Sequence, residues 1–289
     1  MKKILVLTDF STNATHAATC GLEVAIRLKT DILLYHTYPA LPVAPVFTGG
    51  DIITETAEVI VNEATQYLLD LQEKLLELLK VRQPVFFPII TVLSDSGPLD
   101  INISHLQKKE MIEMVIMGAR QGSALSHLLE GSDTRTVIEA SSRPVLVVPP
   151  KATCSWSKIL LATAFRPEDF AAINCLLEWK AAADIKLDIA HVDEIGKSDV
   201  ASAIREIPFR EKMDRLNEHQ QLSYYDVRGR DVGGRLIRLC RQENVSILAL
   251  IHYRRDLLSR LTGKSKTLRA LTDQHLPLLV FPPELSLYV

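Results

Sequence analysis

Residues Met114–Pro149, MVIMGARQGSALSHLLEGSDTRTVIEASSRPVLVVP, begin with a short apolar run that ends at Gly118. A loop with Gly122 follows, then an amphipathic segment that opens at Gly131–Asp133, and finally a second apolar run at Val145–Val148. This succession predicts a buried strand, a glycine-bearing loop, a helix N-terminus and another buried strand. Backbone N–H groups at a helix start lack partners, and glycines allow close approach, so the stretch predicts an anion site, most often for phosphate.

The chain begins with a similar unit. Lys3–Thr8 is apolar on both faces, as in a parallel sheet, and Ser11 or Thr12 can cap a helix that runs to about Leu28. Ligands of open parallel sheets bind at the carboxyl ends of the strands. Asp9, which follows the first strand, is therefore a candidate to accept from ribose hydroxyls or an adenine edge. The alternative is that Asp9 only turns the chain or caps the helix.

The next segments continue the alternation of strands and helices. The predicted elements are a strand at Ile32–Tyr38, a long helix at Asp51–Lys80, a strand at Pro88–Leu93 and a short helix at Asp100–Lys109. Pro39–Gly50 is rich in proline and glycine and is a candidate lid over a pocket. His36 is interpreted as a packed strand-end histidine, because no serine, cysteine or second ligand is spaced to use it.

The pattern then starts again after a linker, Pro149–Thr153. Ile159–Arg166 aligns with Ile4–Ser11 at an offset of 155 residues, and the same offset places His191 over His36. We therefore predict a tandem repeat with an N-terminal domain at 1–150 and a C-terminal domain at 151–289.

Gly118, followed thirteen residues later by Gly131-Ser132, resembles the glycine signature G-x2-G-x9-G-[ST] of the universal stress protein (UspA-like) family. The second glycine of that signature falls on Gln121, and Gly122 is one place late. The resemblance implies two tandem open α/β domains, each with a five-stranded parallel sheet of the adenine-nucleotide alpha hydrolase-like, Rossmann-like kind. In the family single domains usually pair through their last strands, so the resemblance implies that Val145–Val148 and Leu278–Phe281 pair within one chain as a pseudo-dimer. A homodimer of whole chains is a further alternative.

The resemblance also implies ATP or a related adenine nucleotide as ligand, with Mg²⁺ alongside it. In the family the loop holds the phosphates, an aspartate after the first strand contacts the nucleoside, and the residue at Thr37 lies against the adenine. The residues thereby assigned to nucleotide binding are Thr8, Asp9, Phe10, Ser11, Thr37, Met117, Gly118, Arg120, Gly122, Gly131, Ser132 and Asp133.

The second half lacks these features. The repeat places Ala164 at the position of Asp9 and His252 at that of Gly118, so a family-type ATP site is not expected there. Gly263-Lys264-Ser265 resembles the end of a P-loop, but Leu258 stands at the first glycine position. The basic cluster at Arg254–Arg269 is either a solvated face or a side-chain anion site.

Composition sets outer limits. The chain has 289 residues, is 47% hydrophobic and carries a net charge of -2, which fits two globular domains and argues against a nucleic-acid binder. No segment reaches the roughly 18 apolar residues of a membrane span. Cys20, Cys154, Cys175 and Cys240 have no C-x-x-C spacing, so we expect reduced, mostly buried thiols and a cytoplasmic location.

Three functions remain in competition. The first is a nucleotide-binding stress-response or regulatory protein that acts on an unknown protein partner. The second is a scaffold with two degenerate sites that works through dimerisation, a partner or another small ligand, which Gln121 and the second half favour. The third is a weak ATPase; for this one the sequence offers no strand-end nucleophile and no paired carboxylates, so no catalytic residue is assigned.

Overall fold

The computed structural model describes residues 1–40, 50–119, 132–166, 169–194, 207–216, 222–229, 231–252, 275–282 and 285. In the first half the strands are β1 Lys3–Leu7, β2 Asp31–Tyr38, β3 Ile90–Ser96, β4 Ile112–Gly118 and β5 Val145–Val148. The helices between them are α1 Thr12–Leu28, α2 Gly50–Arg82, α3 Leu99–Lys109 and α4 Ser132–Ala140.

The described part of the second half follows the same order. Its strands are β6 Lys158–Thr163, β7 Lys186–Glu194, β8 Ser223–Gly229, β9 Ile247–Ile251 and β10 Leu278–Phe281. Its described helices are α5 Asp169–Ala183, α6 at 207–216 and α7 Val232–Gln242. The predicted elements are present, and the largest difference is β3, which begins two residues later than predicted and extends to Ser96.

All ten strands form one sheet in the order β3-β2-β1-β4-β5-β10-β9-β6-β7-β8. Neighbouring strands are parallel except β5 and β10, which run antiparallel with Leu279 opposite Leu146. The expected pairing of the two last strands is therefore present. It joins two five-stranded parallel halves into one continuous α/β sheet.

Helices cover both faces of the sheet, and alternate residues of each strand face opposite layers. Ile4 and Val6 of β1 belong to the core layer under α1, α2, α5 and α6, whereas Leu5 and Leu7 belong to the layer under α3, α4 and α7. This explains why the strands are apolar on both faces, because a parallel sheet covered by helices has no solvent-facing side.

The repeat is visible in the backbone as well as in the sequence. Phe10 has a φ of 62° and Phe165, 155 residues later, has a φ of 58°. In both turns the phenylalanine N–H donates to the hydroxyl of the threonine two residues before it, at 3.0 Å. Since positive φ is uncommon for a residue with a side chain, the shared conformation supports the alignment of the two halves.

Candidate functional site

The candidate site lies where the order of the strands reverses in the first half. From β1 the chain proceeds through β2 to β3, and it then crosses to β4 on the other side of β1. In such sheets the crevice outside the carboxyl ends of the two strands at the reversal receives the ligand. Asp9 follows β1 and Gly118 ends β4, so both predicted residues belong to this edge.

The turn after β1 is ordered by its own side chains. The Thr8 hydroxyl is buried and accepts the Phe10 N–H, while Oδ1 of the exposed Asp9 accepts the Ser11 N–H at 3.0 Å. Ser11 is the N-cap of α1, because its Oγ accepts the Ala14 N–H at 3.2 Å. Asp9 therefore stabilises the turn, which is the alternative role that the sequence suggested for it. Its carboxylate also lies at the surface beside a helix N-terminus.

The end of β2 lies beside this turn. His36 Nδ1 lies 2.8 Å from the Thr8 carbonyl oxygen, which can only accept, so Nδ1 carries a hydrogen. The Phe10 ring packs against the His36 imidazole, with centroids 4.4 Å apart, and against Tyr67 of α2 at 5.1 Å. His36 is therefore a packed, hydrogen-bonded histidine as expected, and the half-buried Thr37 follows it at the same edge.

Gly118 is required for packing at the end of β4. A Cβ at this position would lie 2.7 Å from the Asn13 carbonyl oxygen and 3.0 Å from the Ala14 nitrogen. The neighbouring Met117 is 8% exposed. The glycine therefore lets the strand end approach the first turn of α1, which is a structural role beside the ligand-binding one predicted from the sequence.

The remaining predicted residues lie on the loop and at its end. Arg120, Gly122 and Gly131 are outside the described residues, and so are most of the Pro39–Gly50 loop, Gly263–Ser265 and the basic cluster. Ser132 begins α4, and Asp133 is exposed in the first turn of that helix. The N-terminus of α4, which the sequence predicted as the anion site, is therefore present.

The equivalent edge of the second half is filled by aromatic side chains. The Phe165 ring stacks on His191 with centroids 3.8 Å apart, and Phe209 of α6 stacks on Phe165 at 4.4 Å. Phe165 is 2% exposed. Sequence reasoning had noted the loss of the aspartate at Ala164 but not this packing, because Phe209 comes from a segment that the repeat alignment did not assign.

Asp169 is a second feature that sequence reasoning missed. It opens α5 with no exposed surface, and its Oδ2 accepts from the Thr163 hydroxyl and the Arg166 N–H. Removal of the carboxylate from water raises the pKa of Asp169 to about 6, although these hydrogen bonds oppose the shift. Through these hydrogen bonds the buried side chain links the end of β6 to the start of α5.

A cavity of about 130 Å³ lies in the second half under α6. Ile189, Arg210, Met213, Leu222 and Tyr224 are among its lining residues. Ile189 pairs with Tyr224 in the first half of β8, so the cavity lies away from the carboxyl ends of the strands. It is therefore not the counterpart of the candidate site in the first half.

The expectation of four reduced cysteines is wrong for two of them. Cys20 of α1 and Cys154 of the linker form a disulfide across 134 positions of sequence. The sequence offered no local motif for this pair, because the fold alone brings α1 against the linker. Cys175 and Cys240 are free and buried as expected, and burial raises the pKa of both thiols, that of Cys240 to about 12.

These features define a class of protein: a doubly wound α/β protein of two similar halves joined in one sheet. None of the described helices is both long and apolar enough to cross a membrane.

Comparison with known proteins identifies the family. The model of the universal stress protein family matches residues 1–149, which is more than half of the chain, and the chain belongs to this family. It is 26% identical over 156 residues to universal stress protein MJ0577 of Methanocaldococcus jannaschii, an alignment that covers 52% of this chain and 96% of that protein.

Two solved structures resemble the whole chain. A universal stress protein from Archaeoglobus fulgidus has a TM-score of 0.63 at 15% identity and covers 97% of this chain and 98% of its own. A protein from Pseudomonas aeruginosa described as a putative universal stress protein has a TM-score of 0.53 at 14% identity, with coverages of 98% and 93%. At these identities the similarity establishes the two-part α/β fold.

Proposed function

We propose that the protein is a nucleotide-binding regulatory member of its family, with ATP or a related adenine nucleotide in the first half. The observation that supports the proposal is that Asp9 follows β1 and Gly118 ends β4, the two strands at the reversal of strand order, and that Gly118 lies against the first turn of α1. Open α/β sheets bind their ligands at this point.

The described residues fit the parts of an adenine nucleotide. The exposed carboxylate of Asp9 is an acceptor for ribose hydroxyls, and Thr37, near the carboxyl end of β2, is proposed to lie beside the base. The first turn of α4 begins at Ser132, and a helix N-terminus favours the negative charge of phosphates. Mg²⁺ would accompany the phosphates, and the exposed carboxylates of Asp9 and Asp133 are the residues proposed to lie near it.

Binding would act through differential affinity for two states of the protein. A nucleotide that contacts β1, β2 and the N-terminus of α4 together favours the conformation in which these elements are correctly placed, and it thereby changes the surface that a partner meets. This mechanism requires binding and release. It does not require hydrolysis.

The second half is proposed to lack such a site. Ala164 offers no acceptor at the position of Asp9, and the stacked rings of Phe165, His191 and Phe209 occupy the space beside it. One nucleotide per chain is therefore the expected stoichiometry.

The test is calorimetric titration of the protein with ATP, ADP and AMP in the presence of Mg²⁺, after absorbance has excluded co-purified nucleotide. Asp9→Asn is the informative variant, because its amide oxygen can still accept the Ser11 N–H and keep the turn. It removes a charged acceptor, so we expect roughly ten- to hundredfold weaker binding.

The matched control is Asp100→Asn, which removes an exposed carboxylate from the first turn of α3 and should leave affinity unchanged. Two equivalent sites per chain would refute the proposal for the second half. An absence of binding at millimolar nucleotide would refute the nucleotide proposal as a whole.

The alternative is a scaffold that acts through its surface, and the packing of the second half favours it. The antiparallel pair β5–β10 fuses the two halves, and aromatic rings close the second edge. A protein that binds no nucleotide but retains this architecture would support the scaffold.

A further inference from the structure

Three metal-ligating side chains meet where α1 packs against the linker between the halves. His16 and Cys20 are four residues apart and thus lie on one face of α1, and Cys154 approaches them from the linker. One imidazole nitrogen of His16 and the sulphurs of Cys20 and Cys154 all lie within 4.8 Å of one another. This cluster, His16–Cys20–Cys154, lies outside the candidate nucleotide site.

The spacing of His16 and Cys20 suits one zinc ion, whereas the two sulphurs, which are bonded to each other here, must separate before both can bind it. Bond lengths of about 2.3 Å to sulphur and 2.0 Å to nitrogen, in a tetrahedron, place a sulphur and a nitrogen on one zinc ion roughly 3.6 Å apart. Cys20 Sγ and His16 Nε2 are 3.8 Å apart. Two cysteines and one histidine form a ligand set that zinc accepts, with water in the fourth position.

The disulfide and the metal exclude each other, since only a thiolate binds the cation. We propose that the cluster is a redox-gated site for a soft divalent cation, best matched by Zn²⁺, which binds when the Cys20–Cys154 bond is reduced and leaves when the bond forms. His16 and Cys154 are partly exposed, so ions and small reductants can reach the cluster.

The chemistry balances in both directions. A dithiol reductant breaks the S–S bond by thiol–disulfide exchange, so that the protein gains two thiols and the reductant becomes a disulfide. Zn²⁺ then displaces the two thiol protons and accepts a lone pair from His16 Nε2. Hydrogen peroxide reverses this: two thiolates, one peroxide and two protons give the disulfide, two waters and free Zn²⁺.

His16 has a distinct position in each state. In the disulfide form Nε2 lies 3.0 Å from the Ala152 carbonyl oxygen, and it must therefore carry the hydrogen of that bond. Metal binding requires Nε2 without its hydrogen, so the imidazole exchanges a hydrogen bond to the linker for a bond to zinc. Because Ala152 is 5% exposed and packed in the core, the exchange alters the contact between α1 and the junction of the halves.

The test compares untagged full-length protein in reduced and oxidised forms. Peptide mapping of the oxidised form should show the Cys20–Cys154 bond. Zn²⁺ is titrated into each form against a chromophoric chelator, and Co²⁺ is used as a spectroscopic probe, because thiolate ligands give charge-transfer absorption and a tetrahedral site gives intense visible bands. The reduced protein should bind one Zn²⁺ per chain, and the oxidised protein should bind none.

Substitutions locate the ligands. Cys20→Ala and Cys154→Ala should each abolish the cobalt charge-transfer bands, whereas Cys175→Ala and Cys240→Ala, which remove the buried free cysteines, should leave them unchanged. His16→Gln leaves the disulfide possible and should weaken zinc binding at least tenfold with an altered visible spectrum. Circular dichroism confirms that each variant is folded.

Three results would overturn the proposal. They are equal zinc affinity in the oxidised and reduced forms, full binding by the Cys20 or Cys154 variant, and no binding by a folded, reduced wild type at micromolar zinc.

Discussion

The imidazole of His191 lies face to face with the ring of Phe165, with centroids 3.8 Å apart and planes inclined by only 5°. The equivalent pair in the first half, His36 and Phe10, is 4.4 Å apart and inclined by 38°. Phe209 adds a third ring against Phe165, which is 2% exposed, whereas Phe10 is partly exposed. The two halves therefore share a turn but use its aromatic side chain differently.

Truncation of these two phenylalanines should separate their roles. Phe165→Ala removes a fully packed ring and is expected to lower the free energy of unfolding by about 3–5 kcal/mol. Phe10→Ala, at the more exposed edge of the first half, should lower the free energy of unfolding by about half as much. Urea unfolding of both variants measures the difference, and equal losses would show that the first edge is as tightly packed as the second.

Asp169 should make stability depend on pH. Its pKa is raised to about 6 from an ordinary 3.8, so between these values the native state holds a proton that the unfolded chain has released. The stabilising effect is fully present below pH ~4 and is lost as the pH rises through about 6, with a change of up to about 3 kcal/mol.

Asp169→Asn isolates this contribution. The amide oxygen can still accept from the Thr163 hydroxyl and the Arg166 N–H, but the side chain no longer titrates. The difference in unfolding free energy between the wild type and this variant, measured by urea from pH 4 to 7, should fall with rising pH. A difference that is constant over the range would contradict the raised pKa.

Much of the fold could be predicted because its signals are local. Apolar runs such as Val145–Val148 and helix caps depend on neighbours in the sequence. The strand has the predicted bounds, and the observed cap, Ser11, is one of the two residues that the sequence offered. The disulfide between Cys20 and Cys154 depends on how α1 meets a linker 134 positions away, and neither residue has a motif around it.

The candidate site was less predictable for a similar reason. The sequence pointed to Asp9 and Gly118 through the ends of their strands. It could not show that Gly118 also packs against the Asn13 carbonyl oxygen. It gave no sign that Asp169 is buried, because the repeat aligns Asp169 with Ala14, which is not ionisable. A glycine that packs against backbone and a glycine that admits a ligand look the same in a sequence.

Gly118 can be tested by a single methyl group. In Gly118→Ala the Cβ would lie 2.7 Å from the backbone carbonyl oxygen of Asn13. Rotation of a side chain cannot relieve this clash, because the clashing atom belongs to the backbone. We therefore expect a loss of about 1–3 kcal/mol in the free energy of unfolding. The control is Gly21→Ala in α1, whose Cβ would meet only the ends of the Val6 and Ile116 side chains at 3.1 and 3.4 Å.

Because alanine favours a helix over glycine, this gain opposes the close contact with Val6, and Gly21→Ala should cost less stability than Gly118→Ala. Urea unfolding compares the two variants. If Gly118→Ala proves as stable as the wild type, the close packing of β4 against α1 is not a constraint, and the ligand-binding role alone would account for the glycine.

Lys158 and Lys3 occupy equivalent positions in the repeat but differ in what they neutralise. Lys3 pairs with Glu110 at 2.7 Å, and both side chains are about a quarter to a third exposed, at 25% and 30%. Lys158 pairs with Glu243 at 3.0 Å and also with Asp188 at 2.7 Å, whose side chain is only 6% exposed. Removal of Lys158 therefore leaves a buried carboxylate without its cation.

Lys158→Met should accordingly cost about 3 kcal/mol in the free energy of unfolding, and Lys3→Met less than about 1 kcal/mol. Methionine retains the apolar stem, so the difference reports on the charge. Adding Asp188→Asn to Lys158→Met should restore much of the loss, because the uncompensated charge disappears. Urea unfolding of the three variants tests this prediction. Equal losses of unfolding free energy for the two lysine variants, or no recovery of stability in the double variant, would mean that solvent stabilises the Asp188 carboxylate in the absence of Lys158.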